Sequence, residues 1–163
     1  MTHIAFCGFE RIASGTLAQA YAGSRAVPAS LIFDTETGRL VDVDPRFPPG
    51  TPPSRPGRPK LGVVAREITL LPRHRDWLAS QPGGASVALR KLVEDASRNP
   101  RARVRARRDA IYRLATALVG DAPGYEEAIR ALYAGAREDF QAHIEAWPPD
   151  VRAVLEEMAQ DAF

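Results

Sequence analysis

Seven of the chain's fourteen prolines lie between Pro45 and Pro59, in the run PRFPPGTPPSRPGRP. Proline fixes φ and has no amide hydrogen to donate, so a run this dense enters neither a helix interior nor the middle of a sheet. It reads as an extended, semi-rigid spacer that divides the 163 residues unequally. Four parts follow: a small α+β unit at 1–44, a proline-rich basic linker at 45–60, a strand-helix-helix unit at 61–99, and a helical region at 100–163. The fold class expected is α+β.

Charge follows the same division. The net charge of +2 hides a basic middle between acidic flanks. Residues 1–54 hold four Arg against five acids, residues 55–108 hold fourteen basic residues against four acids, and residues 109–163 hold four against eleven. Twenty of the 22 basic residues are Arg, which a codon bias alone would produce. A codon bias does not choose a location, so the clustering is the informative feature.

Within the first part, HIAFCGFERI, ASLIFD and RLVDVD read as short strands, with Thr35–Gly38 as a hairpin turn, and residues 17–24 as a short helix. After the linker, LGVVAREITLL (61–71) is rich in β-branched and apolar residues and reads as a strand. Pro72 suits the first turn of a helix, and Ser86 suits the N-cap of a second one ending at Asn99-Pro100. Further on, three apolar stripes at helical spacing appear. The first is Val104, Ile111, Leu114, Ala115 and Leu118; the second is Tyr125, Ala128, Ile129, Leu132 and Tyr133, stopped at Gly135; Phe140, Ile144 and Trp147 make the third. Pro148-Pro149-Asp150 starts a last helix carrying Val151, Val154, Leu155 and Met158.

Several function classes drop out. No stretch reaches the roughly 18 consecutive apolar residues that spanning a bilayer needs, and Glu10 and Arg11 interrupt the N-terminal run too early for a secretory signal. A cytoplasmic protein without a membrane partner is expected. One cysteine, Cys7, makes no internal disulfide, and His3, His74 and His143 are too far apart for a local metal motif, so no cofactor is expected. His74 lies between Arg73 and Arg75, which disfavour an imidazolium, and no Ser or Cys stands in a nucleophile motif. An enzyme is not expected. Trp77 and Trp147 read as core residues, an exposed Trp77 being the sign of a partner surface.

Three segments carry the positive expectation. Gly57-Arg58-Pro59-Lys60 resembles the core of the AT-hook, whose extended Arg-Gly-Arg-Pro segment lies in the narrow minor groove of A·T tracts. Pro56 separates Arg55 from Gly57 and leaves Arg58 and Lys60 as the matched pair; the plainer alternative is a basic proline linker. Residues 63–98, with the Leu71-Pro72 junction, Gly84-Ala85-Ser86 and Leu89-Arg90-Lys91-Leu92-Val93, resemble the ribbon-helix-helix unit of small bacterial repressors. That resemblance implies a dimer whose paired strands lie in the major groove, with Thr69 on the reading face and Arg66, Arg90 and Lys91 on phosphates. Ser86 and the amides of residues 87 and 88 would then grip a phosphate at a helix start. The alternative is a strand that joins the N-terminal sheet over a helical hairpin. Third, Arg101, Arg105 and Arg108 form one stripe of a helix, where like charges repel by about 0.2–0.5 kcal/mol per pair unless an anion is near. A phosphate backbone or the acidic C-terminal helices would supply it.

The run GRPKLGVVAREITLLPRHRDWLASQPGGASVALRKLVEDA, with LIFDTETGRLVDVD before it and GYEEAIRALYAGAREDF and AWPPDVR after it, resembles an uncharacterised bacterial family, domain of unknown function 2239. The likeness implies one evolutionary unit and brings no activity with it. The residues themselves point to a homodimeric DNA-binding protein, either a transcriptional regulator or a nucleoid-associated factor. The alternative is a protein-interaction module whose basic middle pairs with its own acidic helices or with an acidic partner.

Overall fold

The computed structural model describes residues 2–46, 48, 49 and 67–163. Most of the proline linker and the first half of the 61–71 run lie outside the described residues. The fold is α+β: among the described residues, a three-stranded antiparallel sheet lies near the N-terminus and seven helices make up most of the rest. The chain divides into two compact units, one formed by residues up to 51 together with Arg103–Phe163, the other by the described part of Pro52–Ala102.

In the first unit β1 (His3–Cys7) lies between β2 (Glu10–Gly15) and β3 (Leu31–Asp34). The run HIAFCGFERI is therefore two strands and a turn instead of one strand. Gly8, at φ +57°, takes the left-handed conformation that the turn between them requires. Pairing of β1 with β2 runs from His3 opposite Gly15 to Cys7 opposite Glu10, with an irregularity between Ala5 and Phe6. The turn at Thr35–Gly38 forms as expected, but RLVDVD adds only a single bridge, Leu40 to Phe33, beside the Val41 amide donating to Ile32 O.

Alternation along a strand sends successive side chains to opposite faces, and β1 has a neighbour on each. Ala5 and Ile32 pack with Ala20 of α1 (Leu17–Ser24). Thr16 caps that helix: its hydroxyl accepts from the Gln19 amide while the Gln19 side chain accepts from the Thr16 amide. Ile4, Phe6 and Phe33 face the other way, into the main core. That core is built by α4 (Pro100–Val119), α5 (Tyr125–Ala134), α6 (Arg137–Ile144) and α7 (Pro149–Ala159). Its fully buried residues include Ile111, Leu114, Leu132, Phe140, Ile144, Val151 and Leu155. Segments 1–44 and 100–163, distinct in the sequence reading, thus share one core. Trp147 is buried, stacks on Tyr125, and donates from its indole to Pro123 O at 3.0 Å.

The second unit contains α2 (Pro72–Ala79), which starts at Pro72 as expected, and α3 (Ala85–Ser97). They pack on each other and bury Leu78 and Ala88 between them. Glu67–Leu71 form no strand. A strand exists only through its ladder, and no partner segment lies beside these residues among those described.

Candidate nucleic-acid interface

Ten basic residues of the central segment fall among the described residues: Arg73, Arg75, Arg90, Lys91, Arg98, Arg101, Arg103, Arg105, Arg107 and Arg108. One of them, Arg98, has a carboxylate within ion-pair distance, Glu94 one helical turn away at 2.5 Å. Two more are bound by backbone. Arg107 donates from Nε to Met158 O at 2.7 Å and from Nη1 to Thr35 O at 2.8 Å. Arg108 donates from Nε to Ala162 O at 2.7 Å and from Nη1 to Tyr133 O at 3.0 Å, and lies over the Phe163 ring. Met158 and Tyr133 belong to the last turns of α7 and α5, where carbonyls lack helical partners and a cation is favoured. The other seven are exposed, with no carboxylate in ion-pair range among the described residues.

The expected site residues separate accordingly. Arg90 and Lys91 are exposed on α3, and Arg101 and Arg105 are exposed on α4. Arg108 is not a free cation. It serves as a cross-brace between helix ends, because residues 107 and 108 of α4 lie against the core where bare carbonyls converge on them. Thr69 is exposed but sits on no strand. Arg55, Arg58, Lys60 and Arg66 lie outside the described residues.

Ser86 is not the N-cap. Gly84 takes that place, and Ser86 is the second residue of α3. The amides of Val87 and Ala88 donate to Gly84 O at 3.2 and 3.1 Å, so the backbone donors left at this helix start are those of Ala85 and Ser86. Arg73 and Arg75, on the first turn of α2, and Arg103 on α4 join the exposed set although the motif comparison passed over them. The charge count of the central segment is the sequence signal that includes them.

The second unit also exposes apolar surface. Trp77 is 51% exposed, Leu92 47% and Val93 59%, with Ile68, Leu70 and Leu71 also uncovered. Trp77 is therefore not a core residue. Two short helices with one apolar stripe each can bury only their mutual contact, and the rest of each stripe stays in solvent.

Among the described residues, no group of three or more His, Cys, Asp or Glu is arranged to hold a metal ion. None of their helices is long and apolar enough to cross a membrane. His74 is exposed beside Arg73, 3.4 Å from its Nε. A family model described as an uncharacterised protein conserved in bacteria, domain of unknown function 2239, matches residues 2–159. No curated protein and no solved structure matches the chain.

Proposed function

The chain belongs to this bacterial family, and we propose that it is a DNA-binding protein that acts as a homodimer. The observation that carries the reading is the set of seven exposed basic residues that, among the described residues, have no carboxylate partner, in a segment whose flanks are rich in acids. Exposed cations without local counter-charges attract a polyanion, and release of its counterions drives association. Arg90, Lys91, Arg101 and Arg105, with Arg73, Arg75 and Arg103, contact phosphates. Such contacts position the protein without reading sequence.

The dimer rests on the uncovered face. Ile68, Leu70, Leu71, Trp77, Leu92 and Val93 are the apolar residues that a second copy would cover, and among the described residues Glu67–Leu71 have no ladder partner, which an antiparallel pairing of two copies would supply. Arg58 and Lys60, by sequence alone, add two cations to the central segment. A protein-interaction module is the second reading, and the same exposed Trp77 favours it. No ion pair joins the basic segment to the acidic helices among the described residues, so an acidic partner would be a separate molecule.

Anisotropy titrations with AT-rich and GC-rich duplexes at low salt test the function. Even non-specific binders reach about 10⁻⁴–10⁻⁶ M at physiological salt and bind orders of magnitude more tightly at low salt, so a chain that leaves both duplexes free at about 10 μM in low salt is no DNA-binding protein of this kind. Sedimentation at several concentrations tests the dimer, and a strict monomer removes it.

A further inference from the structure

A cavity of about 200 Å³ opens in the first unit, between β1, β2, the turn after β3, α4 and α7. His3, Arg11, Ser14, Thr35, Arg107 and Glu157 are among its lining residues. Arg107 is held rigidly there, since its Nε and Nη1 are bonded to Met158 O and Thr35 O. Nη2 is the nitrogen it has left to offer. Arg11 is fixed through its backbone amide, which donates to Asp150 Oδ2 at 2.9 Å. Its exposed guanidinium has no carboxylate in ion-pair range among the described residues. His3 is 8% exposed, and its Nδ1 is enclosed without a hydrogen-bond partner.

We propose that this cavity binds a small oxyanion that carries a hydroxyl, with hydrogen phosphate as the type. Two guanidiniums, one of them anchored, match the oxygens of such an anion, and charge-assisted bonds to Arg are strong. His3 lines the same cavity with its ring packed into the wall, so its ring signals report whether the cavity is occupied. Glu157 sets the choice among anions. A carboxylate in the wall repels a fully deprotonated anion but accepts a hydrogen bond from a P–OH group, so phosphate is preferred over sulfate. The volume lies below the roughly 300–1,000 Å³ of sites for drug-sized ligands, which restricts the occupant to a few heavy atoms. Neither the second unit nor the DNA reading enters this argument, and failure of either proposal leaves the other standing.

The test uses the full chain labelled with ¹⁵N-histidine and titrated with inorganic phosphate, against sodium sulfate at matched ionic strength. Phosphate should shift the His3 ring signals saturably with a dissociation constant of about 1 mM or below, while sulfate leaves them in place. R11Q, at an exposed side chain, should keep the fold and weaken binding about tenfold or more, and E157Q should abolish the preference over sulfate. His3 signals that do not move up to about 10 mM phosphate would overturn the assignment, as would an equal response to sulfate in the unaltered chain or an R11Q protein that binds as tightly. A DNA duplex that shifted the His3 signals while inorganic phosphate did not would show the site to take nucleic-acid phosphate, and would overturn the free-anion assignment.

Discussion

Replacing Arg108 by Met, and separately Arg105 by Met, removes one guanidinium each from positions three apart on α4 while keeping the aliphatic stem. The two changes should act on different properties. Arg108 loses a half-buried bond from Nε to Ala162 O and a more exposed one from Nη1 to Tyr133 O. Hydrogen bonds to charged groups contribute about 1.5–3 kcal/mol when sheltered and less in solvent, so the pair amounts to about 2–4 kcal/mol. In a chain of this length each kcal/mol moves the melting temperature by about 2–4 °C, giving a fall on the order of 5–15 °C for R108M by calorimetry. Arg105 is exposed and bonded to nothing among the described residues, so R105M should stay within about 0.5 kcal/mol of the parent. In the DNA titration R105M should instead flatten the dependence of log K on log salt by about 0.9, the value for one lost phosphate contact. An R108M protein as stable as the parent would refute the cross-brace. An R105M protein with an unchanged salt slope would remove Arg105 from the DNA contacts.

Gly38 has φ +68°, and a Cβ there would collide with the backbone carbonyl of Ala110, which cannot swing aside. Gly38→Ala should therefore cost about 2–4 kcal/mol, read as a lower urea midpoint; an unchanged midpoint would mean that the turn does not approach α4 so closely. Partial desolvation, together with donation to the Asp109 carboxylate at 2.7 Å and the charge of that group, pushes the Tyr133 phenol up to about 12. Its neutral form is favoured in the fold, so the stability it contributes is intact below about pH 10 and declines as the pH rises towards 12. A late tyrosinate phase in ultraviolet titration should vanish in Tyr133→Phe, and its persistence would reassign it to another tyrosine. V93E, on the uncovered stripe of α3, should leave helical content intact while shifting sedimentation to the monomer; a dimer that survives it is not held by this face.

Much of the helical half was legible in the sequence, for reasons of local physics. The stripe Ile111, Leu114, Ala115 and Leu118 has the period of one buried helix face, Gly135 ends the next helix, and Pro148-Pro149 starts the last. Pro72 likewise marks a helix start by what its own atoms cannot bond. What sequence could not decide depended on partners remote along the chain. Ser86 is a good capping residue that Gly84 preceded, and LGVVAREITLL has strand composition but Glu67–Leu71 have no ladder to join among the described residues. Arg105 and Arg108 are chemically identical, and periodicity puts them on one stripe. Only the convergence of the carbonyls of Ala162 and Tyr133 turned one of them inward and left the other to solvent. Hydrophobic period and backbone chemistry are properties of neighbouring residues. The availability of a charge depends on which unsatisfied groups the folded chain brings beside it.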